Sequence, residues 1–203
     1  MLGDGNLNIH GYNAEILLSV TDRDFAEEFS KSLARVLSKR RPYKVRWSDK
    51  RNRWIVQGSS ILLHRFLKSR WTNLKTYIEH CPKCEGAFLR AFYDGEGCMS
   101  GRSLTISNTK KQLLVYVKYL LEKLGIETSL LYVQTNAGTK LADPKTGRMY
   151  FRKNDCFSFA VKRPNLPMFE RSVGFTIGRK TTALRNACLE TRQNSHPCSL
   201  RPL

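Results

Sequence analysis

The sequence has no apolar run near the roughly 18 residues that a membrane-spanning helix needs, and no charged and then apolar signal peptide opens it. We therefore expect a soluble protein of the cytoplasm.

Acidic residues are scarce as well, with 17 Asp and Glu against 35 Lys and Arg and a formal net charge of +18. This excess favours a polyanion partner, because each neutralised phosphate releases condensed counterions. A merely basic soluble protein is the alternative.

The six cysteines do not form the dense pattern of a disulfide-stapled secreted domain, so reduced thiols are expected. Cys81 and Cys84 form a Cys-x-x-Cys that His80 precedes, and His196 and Cys198 lie near the end. These side chains are zinc-ligand types, but the second close cysteine pair typical of zinc modules is absent. Zinc, a disulfide and plain thiols all remain open.

One order of elements occurs twice, about a hundred residues apart. The first copy reads as a strand, a helix, a hairpin and a helix at residues 14–21, 22–39, 43–57 and 60–68. The second reads as a strand, a helix stopped by Gly125, two strands and a helical part, at residues 103–108, 110–124, 128–134, 150–162 and 167–190. Residues 135–148 are expected to be a loop, and the helical part to break near Gly174 and Gly178.

This repetition predicts an α+β fold of two pseudo-symmetric half-domains, each an antiparallel sheet covered by helices. We place the halves at residues 1–80 and 81–190, and a loose tail at residues 191–203.

In each half the predicted hairpin has one apolar face and one basic, hydrogen-bonding face that is rich in Lys, Arg, Ser, Thr and Gln. Such a face suits the major groove, where Arg, Lys and Gln pair with base edges. An ordinary solvated sheet face is the alternative. The residues predicted to contact DNA in the two halves are Lys44, Arg46, Arg51, Arg53 and Gln57, and Thr105, Ser107, Lys110, Lys153 and Lys180.

Two short segments combine an acid with glycines. Residues 88–97 form an apolar helical run that ends at Gly95-Glu96-Gly97, and residues 1–5 end in Gly3-Asp4-Gly5. One carboxylate from each half-domain would form a divalent-metal site, because Mg²⁺ is commonly held by one or two carboxylates with water and phosphate oxygens. Carboxylates that only cap helices or turns are the alternative.

These segments resemble the motif of the LAGLIDADG homing endonucleases. Residues 89–97 resemble the whole motif with Glu96 at its metal-binding acid, and residues 1–5 resemble the end of a first copy with Asp4 at the same place. Residues 105–114 and 172–180 also resemble family segments, so the likeness extends to about Glu190.

The resemblance implies a single-chain, two-motif endonuclease that cuts double-stranded DNA at a long site, with sheets shaped as a saddle. Asp4 and Glu96 would be the catalytic residues. Mg²⁺, for which Ca²⁺ or Mn²⁺ could substitute, would be held by Asp4, Glu96, Gly3 and Gly95. The protein would act as a monomer, and the chain length favours an intron-encoded gene.

Two features depart from the family pattern. The residues that would build the start of the first motif helix are not in this sequence, so either the native protein begins upstream or this half uses a shortened helix. Some members place a basic residue where a strand enters its helix; here Thr21 and Thr109 stand there, so that role would fall to Arg23 or Lys110.

Other functions remain open from the sequence. A DNA-binding protein that does not cut, or an RNA maturase on the same fold, is favoured by the shortened first helix. A zinc-stabilised RNA-binding protein would account for the net charge of +18 and for Cys81 and Cys84.

Overall fold

The computed structural model describes residues 5–194 except 11–12, 70 and 144–145. By their internal contacts the residues form two compact units, Met1–Gly95 with Phe175–Gly178 and Glu96–Gly174 with Arg179–Leu203. The boundary therefore lies after Gly95 and not at the predicted position after residue 80. The reason is a helix that begins at Pro82 and keeps all but its last residue in the first unit.

The first unit follows the predicted order and adds a strand at its start and helices at its end. Its strands and helices are β1 (Gly5–His10), β2 (Asn13–Val20), α1 (Arg23–Val36), β3 (Val45–Ser48), β4 (Arg53–Ser59), α2 (Ile61–Leu67), α3 (Trp71–Ile78) and α4 (Pro82–Glu96).

The four strands form one antiparallel sheet in the order β1-β2-β4-β3. Along β2, Ala14, Ile16, Leu18 and Val20 are buried and the residues between them are only half-buried. The strand predicted at residues 14–21 is thus present, and its burial alternates because successive side chains of a strand point to opposite faces. One face of the sheet thus packs in the core, and the other face carries polar side chains.

Helix α1 covers the apolar face of this sheet. Leu18, Val20, Ala26 and Val56 form a buried cluster against which larger, partly buried side chains pack. The helix ends at Val36, before the predicted residue 39, and Val36 is exposed although its spacing placed it on the apolar side. The partly buried side chains around the cluster are Phe25, Phe29, Tyr43, Val45 and Trp54.

Gly58 on β4 lies close to Leu33 on α1. A Cβ at this position would be 2.7 Å from Leu33 Cδ2 and 3.2 Å from the Tyr43 ring. We expect Gly58→Ala to lower the free energy of unfolding by about 2 kcal/mol, because overfilled cores cost about 1–3 kcal/mol. Urea unfolding measures the change.

A double-mutant cycle identifies the cause of that loss. If Leu33 is the obstacle, Gly58→Ala costs less in a Leu33→Ala background than in the wild type. Equal costs in the two backgrounds would show that the clash does not limit stability.

The second unit repeats the strand and helix order with an insertion. Its strands and helices are β5 (Gly97–Ser100), β6 (Ser103–Asn108), α5 (Lys111–Lys123), β7 (Tyr132–Thr135), β8 (Lys140–Ala142), β9 (Met149–Phe151), β10 (Cys156–Val161), α6 (Leu166–Ser172) and α7 (Gly178–Asn194). Gly178, the first residue of α7, belongs to the first unit.

Strands β5, β6, β10 and β7 form an antiparallel sheet in that order. When the four strands of each sheet are numbered among themselves in chain order, both sheets place them first, second, fourth and third. This shared order agrees with the predicted duplication. In the second sheet Leu104, Ile106, Phe159 and Val161 are buried on one face.

Helix α5 supplies much of the second core. It ends as predicted before Gly125, whose φ of 74° is the left-handed conformation that glycine adopts without a steric penalty. Its buried residues are Leu113, Leu114, Tyr116, Val117, Leu120 and Leu121.

The predicted loop at residues 135–148 is partly wrong, because β8 within it pairs with β9 as a hairpin. Both strands have three residues and lie outside the four-stranded sheet. Such short, exposed strands do not give the regular burial pattern on which strand prediction depends. The break between α6 and α7 at Gly174, where φ is 63°, agrees with the prediction.

Within the described part of the chain, no helix has the length and apolar character needed to cross a membrane.

Candidate nucleic-acid interface and acidic motif

Helix α4 carries the acidic motif at its end. Leu89 and Tyr93 are fully buried and Phe92 is nearly so, which confirms the predicted apolar helical run. The helix ends at Glu96, and β5 begins at the next residue, Gly97. The half-buried Glu96 is thus the last helical residue before the first strand of a sheet, and half-buried Gly95 precedes it. Glu96 is thus partly exposed at the end of its helix.

The first acidic segment can be compared with the second only by its place in the sequence. Asp4 and Gly3 lie outside the described residues. Gly5 begins β1 and pairs with Leu18 on β2, just as Gly97 begins β5 and pairs with Ile106 on β6. Asp4 and Glu96 therefore each precede the first strand of a four-stranded sheet.

Asp94 lies two residues before Glu96 and has a different role. It is buried, and its Oδ1 accepts hydrogen bonds from the backbone N–H of Thr176 at 3.0 Å and of Ile177 at 3.2 Å. Asp24 on α1 accepts the next N–H, that of Gly178, at 2.5 Å. The two carboxylates satisfy consecutive donors at the start of α7, where a helix has no internal acceptors.

The difference between Asp94 and Glu96 follows from helix geometry. Residues two apart differ by about 200° around a helix, so the two side chains leave α4 in nearly opposite directions. We did not predict a role for Asp94. Asp94 is visible in the motif as an acid. The N–H groups that donate to it lie some eighty residues further along the chain, so the sequence alone does not indicate the contact.

Lys180 on α7 is buried, and its Nζ donates to the carbonyl oxygen of Gly97 at 2.7 Å. This differs from the predicted DNA contact, because a buried ammonium held by a carbonyl is not presented to phosphates. The bond instead fixes the backbone next to Glu96.

The open face of the first sheet carries a hydrogen-bonded row of polar side chains. Arg46 Nη2 donates to Gln57 Oε1 at 2.7 Å, and Gln57 Nε2 donates in turn to Glu15. Glu15 also accepts from Asn8 Nδ2 at 3.4 Å. The row crosses all four strands and holds the guanidinium of Arg46 in one orientation.

This row lines a groove of about 650 Å³ on the sheet, which Arg51 and Lys50 border from the β3–β4 turn. The structure thus brings together the predicted residues Arg46, Arg51 and Gln57. Lys44 lines a neighbouring cleft with Arg46 and Gln57. The exposed Arg53 donates to the Ser19 carbonyl oxygen at 3.5 Å.

The open face of the second sheet is less basic than predicted. Ser107 Oγ donates to Ser158 Oγ at 3.0 Å, and Thr105 Oγ1 to the Cys98 carbonyl oxygen at 3.5 Å. Lys153 is exposed at the bend between β9 and β10, away from the four-stranded sheet. The predicted residues of β6 on this face, Thr105 and Ser107, are half-buried hydroxyl residues, and Ser158 beside them is buried.

The two candidates for a basic residue at a helix entrance differ in their surroundings. Arg23 pairs with Glu27 at 2.8 Å and lies 5.2 Å from the Trp54 ring centre. Lys110 is exposed at the start of α5, and its backbone N–H donates to Asn108 Oδ1 at 2.9 Å. Both cations are exposed, and they differ in that the Arg23 side chain is paired with a carboxylate.

His80, Cys81 and Cys84 form a separate cluster where α3 is joined to α4. Their possible ligand atoms all lie within 4.8 Å of one another, and the two sulfurs are 3.5 Å apart. A hydrogen bond from His80, supported by the Cys84 N–H, lowers the pKa of the Cys81 thiol to about 7.

Residues 83–152 match the family described as LAGLIDADG-like domain. Two relatives are uncharacterized proteins of Methanocaldococcus jannaschii. One is 29% identical over 169 residues, which are 83% of this chain and 60% of the relative. The other is 32% identical over 146 residues, which are 66% of this chain and 55% of the relative. The chain thus spans less than two thirds of either relative.

Among solved structures, mesophilic variants of the homing endonuclease I-DmoI superpose with a TM-score of 0.58 at 20% identity, covering 85% of this chain and 89% of theirs. I-DmoI in complex with DNA and Ca gives 0.60 at 17% identity, covering 91% and 92%. Full-length WhiA from Thermatoga maritima gives 0.56 at 13% identity, covering 98% of this chain and 58% of that protein. The predicted LAGLIDADG homing endonuclease-like α+β fold is confirmed.

Proposed function

We propose that this protein is a site-specific endonuclease that cuts both strands of duplex DNA with Mg²⁺. The proposal is supported by its LAGLIDADG homing endonuclease-like fold and by the match of residues 83–152 to the LAGLIDADG-like domain. The observation that carries the proposal is Glu96 at the end of α4, directly before the first strand of a sheet. Asp4 has the same place before the other sheet in the sequence. Because one chain carries both acids, we propose that it acts as a monomer.

The side chains present suit magnesium. Glu96 offers a half-buried carboxylate oxygen, the ligand type that Mg²⁺ prefers, and Asp4 would offer a second. When bound, the metal supplies activated water and charge stabilisation for phosphodiester hydrolysis. A divalent metal is also supported by the structural likeness to I-DmoI, whose DNA complexes were determined with Mn and with Ca, and for one variant with Mg.

The chain's own residues position the acid and the DNA. Lys180 holds the Gly97 carbonyl and so limits the motion of the backbone that follows Glu96. The row from Arg46 to Asn8 presents donors and acceptors that suit base edges in the major groove. Because this row is already ordered by its own hydrogen bonds, it loses less conformational entropy on binding.

Selection of bound duplexes from a random library, followed by incubation of the selected duplex with Mg²⁺, tests the proposal. We expect one long preferred sequence and a double-strand break within it. Preferential binding to single-stranded RNA, or the absence of any sequence preference, would contradict the proposal.

Arg46 is the residue whose loss tests base recognition most directly. We expect Arg46→Ala to weaken binding to the selected duplex by about 1–3 kcal/mol and binding to random duplex by less, because a bidentate base contact discriminates by that amount. Fluorescence anisotropy at one fixed salt concentration measures both affinities.

The matched control is Arg65→Ala, which removes an exposed arginine of α2 outside the polar row. It should change the preference between selected and random duplex little. If Arg46→Ala weakens both duplexes equally, Arg46 is a phosphate contact and its assignment to base recognition is wrong.

A further inference from the structure

The cluster of His80, Cys81 and Cys84 takes no part in the proposed cleavage. Cys84 lies in the first turn of α4, about three helical turns before Glu96. Both cysteines are free thiols and half-buried, and His80 is exposed. The cluster joins the turn after α3 to the start of the helix that ends in the acidic motif.

We propose that His80, Cys81 and Cys84 bind one zinc ion. Two thiolates and an imidazole are the ligand types of tetrahedral zinc sites. With Zn–S bonds of about 2.3 Å, tetrahedral geometry places two sulfurs about 3.8 Å apart. The sulfurs here are 3.5 Å apart, and all three ligand atoms lie within 4.8 Å of one another. Only small side-chain adjustments are therefore needed to admit the ion.

The local backbone supports this assignment. Cys81 immediately precedes α4, and the N–H of Glu85 donates to its carbonyl oxygen at 3.0 Å, so Cys81 and Cys84 are held on one helical turn. His80 reaches the same point from the turn that follows α3. Three protein ligands leave one tetrahedral position, which water completes.

The expected effect of this zinc is on stability, although three protein ligands and a water make a more open site than the four protein ligands of most structural zinc ions. The zinc ties the end of α3 to the start of α4 and thereby fixes where α4 begins. Metal binding that requires folded geometry adds to folding stability, so removal of zinc should lower the melting temperature. This site is independent of the endonuclease proposal, since neither Glu96 nor the polar row belongs to it.

Metal content of the full-length protein tests the assignment. After zinc loading under reducing conditions and dialysis, we expect about one zinc per chain in the wild type. The Cys81→Ser/Cys84→Ser variant should retain almost none. Cys156→Ser is the matched control, a half-buried free thiol outside the cluster, and it should keep its zinc.

Cobalt substitution provides a readout that does not depend on how well the double variant folds. Co²⁺ added to the reduced, metal-free wild type should give thiolate-to-cobalt charge-transfer absorption. His80→Ala should weaken cobalt binding, although this variant keeps both cysteines. The assignment is overturned if the wild type binds neither metal, if the double cysteine variant retains wild-type zinc, or if Cys81 and Cys84 are recovered as a disulfide under reducing conditions.

Discussion

Glu96→Gln is expected to lower the rate of double-strand cleavage by about a thousandfold or more, with binding of the same duplex in Ca²⁺ little changed. The amide keeps the size of the side chain but removes the charge that anchors a divalent metal, a contribution of several kcal/mol to the transition state. Single-turnover cleavage of a plasmid that carries the selected site measures the rate. Asp4→Asn should have the same effect, because each half-domain is proposed to contribute one acid.

The control for this experiment is Glu122→Gln on α5, an exposed glutamate paired with Lys118 at 3.1 Å. Removing its charge should leave cleavage unchanged, since an exposed helix ion pair contributes little. Both strand cuts should be lost together in Glu96→Gln and in Asp4→Asn if the two acids share metal ions. Wild-type rates from Glu96→Gln would remove that residue from the active site.

Asp94→Ala should lower the free energy of unfolding by about 3 kcal/mol, because it leaves the N–H groups of half-buried Thr176 and buried Ile177 without their carboxylate acceptor. Asp94→Asn should cost less, since its amide oxygen can still accept one hydrogen bond. Urea unfolding followed by circular dichroism measures both changes.

Asp155→Ala is the matched control for Asp94. Asp155 also accepts a backbone N–H, that of Ala137 at 2.7 Å, but on an exposed surface. Water can replace that acceptor, so we expect a loss below about 1 kcal/mol. Equal losses from Asp94→Ala and Asp155→Ala would mean that the buried carboxylate does not hold the segment before α7.

The elements that the sequence predicted are those with strong periodicity. The alternation along β2 and the apolar spacing of α5 each place a row of large side chains in a core, and both elements were correctly placed. Strand β1 was missed because its sequence, Gly5–His10, alternates asparagine with only two large apolar residues. Helix α3 was missed although Trp71, Leu74 and Ile78 recur at helical spacing; they are only half-buried, and the helix contributes no fully buried residue.

The candidate site was only partly predictable for a different reason. Glu96 is recognisable because its motif is contiguous in the sequence. The positions of Lys180 and Asp94 depend on contacts between segments some eighty residues apart, Lys180 with Gly97 and Asp94 with Thr176. The distribution of charge along the sequence does not indicate which lysine is buried, so it could not separate Lys180 from the exposed lysines. The same limit applies to the open face of the second sheet, where hydroxyl groups bond to one another.

Cleavage of a supercoiled plasmid carrying the selected site, with Mg²⁺ and without it, tests the central claim most directly. The proposed function predicts linear plasmid cut at that site only when Mg²⁺ is present, and bound but intact plasmid in Ca²⁺. Specific binding of a plasmid that stays supercoiled in Mg²⁺ would contradict it and identify a DNA-binding protein that does not cut.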